Sequence, residues 1–120
     1  MNYIDAHIHF DQYEEKDRNM ILANPKLHSL VTVSNNIASC EKNLLLSRKH
    51  QKVKPAFGYH PEQALPTEEE KAAIFQFIKD HKDDMVAIGE VGLPYYLEKE
   101  GKVARKEPYI QLLEQFILQA

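Results

Sequence analysis

The sequence predicts an α/β fold in which parallel strands are joined by crossover helices. Four short apolar runs alternate with four segments whose apolar residues recur at helical spacing, which is typical of consecutive βα units. The 120 residues are 43% hydrophobic and 28% charged, which is enough apolar material for a packed core and excludes disordered, collagen-like and coiled-coil classes. We therefore expect one domain or part of one.

The four apolar runs are predicted strands because each is bounded by polar or turn residues. They cover residues 3–8, 30–33, 53–58 and 85–91. An eight-stranded TIM-type (β/α)8 barrel needs about 250 residues, so four βα units would supply half of one.

Helices are predicted between and after the strands because apolar residues recur there at three- and four-residue spacing. The first, within about residues 13–22, has the weakest pattern. The apolar positions of the second and third are Ile37, Cys40, Leu44 and Leu45, and Ile74, Phe77 and Ile78. Thr67 and Glu70 have the spacing of a capping box, which predicts that the third helix begins there.

The last helix has the most regular apolar stripe. Its members are Tyr109, Leu112, Leu113, Phe116, Ile117 and Ala120. Pro108 suits the first turn of this helix. The chain stops within the stripe without a C-cap signal such as Gly, so we expect residues 1–120 to be a truncated polypeptide.

Charge and cysteine content limit the function classes. Fifteen Lys and Arg against eighteen Asp and Glu give a net charge of -3, which excludes a generally basic nucleic-acid-coating protein but leaves a local basic groove open. Cys40 is the single cysteine, so no intramolecular disulfide is expected. The sequence shows neither a signal peptide nor an apolar run of the ~18 residues that span a bilayer, so we expect a cytoplasmic protein without membrane contact.

Two histidines on the first strand are candidate metal ligands. Period-two geometry places Asp5, His7 and His9 on one face of the strand. Imidazoles on a buried sheet face need a partner, and a divalent metal would provide one, with Asp5 close enough to support it. An exposed edge strand, or histidines bonded to backbone carbonyls, would explain the pattern without a metal.

Glu90 is a candidate third ligand because it ends the apolar fourth run, where a buried charge needs a partner. A cation held by His7 and His9 would be that partner, and Glu90 would bind one ion or bridge two ions ~3.5–4 Å apart. Gly89 and Gly92 would allow a close backbone approach or a bend. If the strand has already ended, Glu90 is instead a solvated loop residue.

His60 follows the third strand and so falls at the same end of the sheet as the other candidates. We expect it to contact substrate rather than ligate the metal, or else to shape the turn before Pro61. His28, His50 and His81 lie in loop or helical contexts and are predicted surface residues.

Three segments resemble the N-terminal signatures of the TatD family of metal-dependent hydrolases. They are Ile-Asp-Ala-His-Ile-His-Phe-Asp, Phe-Gly-Tyr-His-Pro-Glu and Ala-Ile-Gly-Glu-Val-Gly-Leu-Pro-Tyr-Tyr, in this order and at suitable separations. The last predicted helix is similar to the helix that follows the third signature. The resemblance covers the whole chain but only the first half of a family member.

The resemblance implies a TIM-type barrel with a divalent-metal site at the C-terminal ends of its strands. His7 and His9 match the first ligand pair, Glu90 matches the carboxylate ligand, and His60 matches a histidine near the substrate. The implied reaction is hydrolysis, mainly of DNA or a small phosphodiester, by a metal-activated water. Two divalent ions are expected, and Zn, Mn, Mg, Ni or Fe would each accept these ligands.

Two departures from the family pattern bear on the site. Pro94 stands where many members have Asp, and the family's two later histidines and late aspartate are not among these 120 residues. We therefore assign no catalytic residue within the chain and expect it to be incomplete and inactive by itself. Lys99, Lys102 and Arg105, after the fourth strand, are candidates for steering phosphate.

Two other functions fit the same residues. A half-barrel that dimerises through its open sheet edges would need no enzymatic activity and would bind metal weakly at most. An amidohydrolase-type enzyme acting on a C–N bond would share the same ligands.

Overall fold

The computed structural model describes residues 1–103 and 105–120 and confirms the predicted α/β class. Four parallel strands pair in sequential order as a curled half-barrel: β1 (Tyr3–Ile8), β2 (Leu27–Thr32), β3 (Val53–Phe57) and β4 (Ala87–Ile88). A 3-10 turn (Phe10–Gln12) follows β1. The α helices of the described residues are α1 (Glu15–Leu22), α2 (Ile37–Lys49), α3 (Glu68–Asp80), α4 (Tyr95–Lys99) and α5 (Glu107–Gln119).

The second strand begins three residues earlier than the sequence predicts. Leu27 and Ser29 are buried and lie opposite Tyr3 and Ile4 of β1, whereas His28 between them is exposed. The prediction missed this part of β2 because it sought an unbroken apolar run, and here the strand alternates. His28 is at the surface as predicted, while the other two histidines assigned to the surface, at 50 and 81, are half-buried.

The fourth strand is much shorter than the predicted run over residues 85–91. The Gly89 N–H still donates to the Phe57 carbonyl of β3, at 2.9 Å. The Gly89 carbonyl and the Glu90 N–H then bond to the backbone of Ser34, after β2, at 3.1 and 3.0 Å. The chain therefore crosses the end of β3 toward β2, and this crossing ends the strand.

Two apolar clusters hold the helices on the sheet. One joins α2, α3 and α5 to β3 and its C-terminal end, and the other joins the chain after β1 to α2, β2 and β3. Cys40 lies in the first cluster, where burial raises the pKa of its thiol to about 11. The thiol is thus neutral at physiological pH and acts as a small apolar side chain.

The capping box predicted at the start of the third helix is confirmed. Thr67 Oγ1 accepts the Glu70 N–H at 3.1 Å, and Glu70 Oε1 accepts the Thr67 N–H at 3.2 Å.

The last helix begins where the sequence predicts, but not every residue of its predicted apolar stripe is buried. Pro108 lies in its first turn and Phe116 is buried, whereas Ile117 is 62% exposed. None of the helices described is both long enough and apolar enough to cross a bilayer.

Candidate metal centre

Three predicted ligands converge at the C-terminal ends of the strands. Glu90 Oε2 lies 3.4 Å from His7 Nε2 and 3.2 Å from His9 Nε2. One candidate ligand atom from each of the three side chains lies within 4.8 Å of the other two. The structure therefore brings together His7 of β1, His9 immediately after it and Glu90 after β4, on the far side of the sheet.

The donor set fits a divalent cation. Glu90 Oε2 and His9 Nδ1 are buried and have no hydrogen-bond partner among the described residues. A buried carboxylate oxygen next to two imidazole nitrogens needs a positive partner, and a bound divalent cation would be one. With metal–ligand distances of about 2.0–2.1 Å, neighbouring ligand atoms of a tetrahedral site are about 3.3 Å apart. The contacts of 3.2 and 3.4 Å match this separation.

The first strand combines an exposed edge with the predicted metal-binding face. Five of the six residues of β1 are exposed, as expected of an edge strand. His7 and His9 nevertheless point to the same carboxylate oxygen, which agrees with the period-two prediction. Asp5 Oδ1 accepts the His7 backbone N–H at 3.0 Å and so holds the strand backbone next to the site.

The close backbone approach that places Glu90 occurs at Gly58. A Cβ built on Gly58 would lie 2.7 Å from the Glu90 carbonyl oxygen and 2.7 Å from the Gly89 carbonyl carbon, closer than real Cβ atoms come. Built Cβ atoms on Gly89 and Gly92, for which the sequence predicts this role, would make ordinary contacts of 3.5 and 3.4 Å. The prediction of a close approach at Gly89 and Gly92 is therefore wrong, and Gly58 is the residue that lets the chain cross the end of β3.

A buried group of polar side chains, which we call the polar frame, supports both sides of the site. It consists of Thr32, Ser34 and Asn43, all 0% exposed. Thr32 Oγ1 donates to Asn43 Oδ1 at 2.8 Å, and Asn43 Nδ2 donates to Ser34 Oγ at 2.9 Å.

The polar frame reaches both ligand-bearing segments. Thr32 Oγ1 accepts the Phe10 N–H at 3.1 Å, next to His9, while the Ser34 backbone holds Glu90. Sequence reasoning missed the polar frame, although Asn43 within the apolar period of the second helix was a signal that could have found it.

His60 joins the site from the end of β3. Its Nε2 lies 3.5 Å from Glu90 Oε1, and its Nδ1 accepts the Glu62 N–H at 3.0 Å. Because Nδ1 accepts, a neutral ring carries its proton on Nε2 and can donate there. This tautomer favours a hydrogen bond to substrate or to Glu90 over metal ligation.

The cations after β4 form ion pairs with neighbouring acids. Lys102 lies 2.9 Å from Glu100, and Arg105 lies 3.9 Å from Glu107. These two predicted phosphate-steering residues therefore have local partners. Lys99, the third, forms no ion pair within the described part of the chain and ends α4.

Sequence reasoning also missed α4 and the residue that anchors it. The Glu62 carboxylate accepts the backbone N–H groups of Tyr96 and Leu97, each at 2.9 Å. Pro94 at the N-cap makes no side-chain cap hydrogen bond, so Glu62 takes that role from another part of the chain. A helix of five residues is too short to show an apolar period, which explains why it was not predicted.

Comparisons with known proteins agree with this geometry. A family model described as TatD related DNase matches residues 4–120. An uncharacterized metal-dependent hydrolase of Haemophilus influenzae is 43% identical over 115 residues, which are 95% of this chain and 46% of that protein. The human protein named deoxyribonuclease TATDN3 is 30% identical over 122 residues, covering 92% of this chain and 44% of that one.

Solved structures show the same fold. The TatD homolog YJJV of Escherichia coli superimposes with a TM-score of 0.79 and 22% identity over 98% of this chain and 46% of its own. A TatD family hydrolase of Entamoeba histolytica superimposes with a TM-score of 0.76 and 20% sequence identity, over 97% of this chain and 44% of its own. The chain thus spans less than half the length of these relatives. With a family model matched over nearly all of its residues, the chain belongs to the TatD related DNase family.

Proposed function

We propose that this chain carries the divalent-metal centre of a hydrolase that cleaves phosphodiester bonds in DNA. The observation that supports this most directly is the convergence of His7, His9 and Glu90, in which Glu90 Oε2 lies 3.4 and 3.2 Å from the two imidazole Nε2 atoms. The family description and the name of the human relative both point to deoxyribonuclease activity in related proteins. In this proposal, residues 1–120 are the N-terminal half of one barrel domain.

Three residues of the site would bind the metal. A bound divalent ion would supply an activated water and a Lewis acid for the phosphoryl oxygens. His7 and His9 would hold the ion through Nε2, and Glu90 would complete the described ligands through Oε2. Glu90 Oε1 lies 3.5 Å from His60 Nε2, and the same carboxylate would serve a second ion in a two-metal site.

His60 orients the substrate rather than the metal. Its Nδ1 is engaged by the Glu62 N–H, so its Nε2–H donates toward the centre, where a phosphate oxygen would accept it. A charged phosphodiester is attracted by both the ion and this donor, whereas a neutral amide is attracted less strongly by either. This difference favours phosphodiester over C–N bond cleavage.

Metal binding tests the proposal on the chain as it stands. We expect the metal-free protein to bind cobalt(II) with a visible absorption spectrum and zinc(II) with measurable heat. His7→Ala and Glu90→Gln should each weaken binding by roughly 10- to 100-fold or more, because each removes a ligand or its charge. His28→Ala, an exposed histidine on β2, is the matched control and should leave binding unchanged.

Hydrolysis is tested in a completed barrel. Fusing residues 1–120 to the C-terminal half of the Haemophilus influenzae relative should yield metal-dependent cleavage of single-stranded DNA that His7→Ala abolishes. A panel of single-stranded DNA, a small phosphodiester and an amide separates the two bond classes. Metal binding that His7→Ala and Glu90→Gln leave intact would contradict the proposal, as would an active fusion that cleaves only the amide.

Self-association is a second candidate, favoured by the exposed edge strand. Tyr3 and Ile4 of β1 are 51% and 63% exposed. An unpaired edge with apolar side chains invites pairing with a second copy. Sedimentation velocity at several concentrations tests this: a soluble dimer supports it, and a monomer throughout excludes it.

A further inference from the structure

Two adjacent aromatic residues stand in solvent on α4. Tyr95 and Tyr96, which we call the tyrosine pair, are 62% and 66% exposed. Their rings meet edge to face with centroids 5.3 Å apart. They contribute little to the core, because so much of their surface remains in water.

A short series of contacts links the tyrosine pair to the metal centre. The Glu62 side chain accepts the N–H groups at positions 96 and 97, and its own backbone N–H donates to His60 Nδ1. The other side of the His60 ring lies 3.5 Å from Glu90. Glu62 therefore ties the helix that carries the tyrosine pair to the histidine that faces the proposed metal site.

Charge accounts for only part of substrate binding at this segment. Lys102 and Lys106 lie within 2.9 and 3.0 Å of Glu100 and Glu98, and the chain as a whole carries a net charge of -3. These acids lie as close to the lysines as a phosphate would, so contacts other than charge are needed for affinity. Flat aromatic side chains provide such contacts by stacking on bases.

We propose that the tyrosine pair is a stacking platform for an unpaired nucleobase of the DNA strand bound at the metal centre. This inference rests on the proposed function and adds a base-binding surface to it. Stacking needs an open base face, so the platform favours single-stranded over duplex DNA and tolerates any base. Glu62 is a positioning residue in this arrangement.

Binding of a single-stranded octadeoxynucleotide containing 2-aminopurine tests the proposal. The 120-residue chain is titrated in EDTA, so that stacking is measured without metal, with anisotropy reporting affinity and quenching reporting stacking. The Tyr95→Ala/Tyr96→Ala double variant should lose the quenching and weaken binding roughly 5- to 150-fold. Tyr95→Phe/Tyr96→Phe should keep both, since the rings remain.

Two controls separate stacking from general effects. Tyr3→Ala removes a tyrosine that is 51% exposed, at the opposite end of β1, and should change neither signal. An oligonucleotide with abasic sites should bind the wild-type chain about as weakly as the intact oligonucleotide binds the alanine double variant. The abasic oligonucleotide should bind the double variant no more weakly still, because both changes remove the same stacking contact.

The outcomes distinguish this inference from the proposed function. Failure of the wild-type chain to bind or quench the oligonucleotide would overturn the platform, as would unchanged binding by the alanine variant. If cobalt(II) still binds in either case, only the platform is lost. If quenching is seen but no metal binds, the platform stands and the hydrolytic proposal fails.

Discussion

The polar frame, at the end of β2 and the middle of α2, and the short helix α4 are held in different ways. All three side chains of the polar frame are 0% exposed and are bonded to one another or to neighbouring backbone. In the second region, the tyrosine pair is more than 60% exposed, and two bonds from Glu62 hold the start of α4. The comparison indicates that the proposed metal ligands rest on a buried, hydrogen-bonded base, while the helix proposed to meet substrate is anchored by fewer contacts.

The largest effect is expected from Asn43→Ala. This change removes the acceptor of Thr32 and the donor to Ser34 and to the Val33 carbonyl, at 2.8, 2.9 and 3.1 Å, in a site without water access. Unsatisfied buried groups cost about 1–3 kcal/mol each, so the free energy of unfolding should fall by about 3–5 kcal/mol. Urea denaturation followed by circular dichroism measures it.

The control for this prediction is an asparagine outside the polar frame. Asn19→Ala, on the exposed face of α1, should change the free energy of unfolding by less than about 0.5 kcal/mol. Similar losses in the two variants would mean that the polar frame is no more important to stability than the surface.

The next effect is expected from Gly58→Ala. The added methyl group overlaps backbone atoms of residues 89 and 90 at 2.7 Å, so the chain crossing above β3 must move. We expect about 1–3 kcal/mol of destabilisation and a roughly tenfold or greater loss of cobalt(II) affinity, because Glu90 moves with its backbone. Gly92→Ala, whose Cβ would meet Pro61 at 3.4 Å, is the matched control. Unchanged metal affinity in Gly58→Ala would show that Glu90 is placed by other contacts.

The same contrast explains which parts of the molecule the sequence could predict. His7 lies on β1 and His9 directly follows it, so their common face follows from local geometry. Glu90 was found because a charge interrupts an apolar run. The curled sheet and the chemical class of the site were therefore accessible from neighbouring residues and from the family resemblance.

The missed features all depend on contacts between distant parts of the chain. Gly58 matters only because residue 90 passes over it, and Asn43 only because Thr32 and Ser34 surround its amide. The anchor of α4 joins Glu62 to residues more than thirty positions later. Apolar periodicity in the sequence depends only on neighbouring residues, so it does not predict contacts between residues that are distant in the chain.

The smallest effect on stability is expected from Glu62→Ala, at the anchor of α4. It removes two charge-assisted bonds of 2.9 Å from a half-exposed carboxylate, so the free energy of unfolding should fall by about 1 kcal/mol or less. Base stacking should weaken more than stability, since Glu62 no longer anchors the helix that carries the tyrosine pair, and 2-aminopurine quenching should fall while cobalt(II) binding persists. Glu41→Ala, an exposed glutamate on α2, should leave both unchanged. A Glu62→Ala variant that loses as much stability as Asn43→Ala would make α4 part of the hydrogen-bonded base and remove the distinction between the two regions.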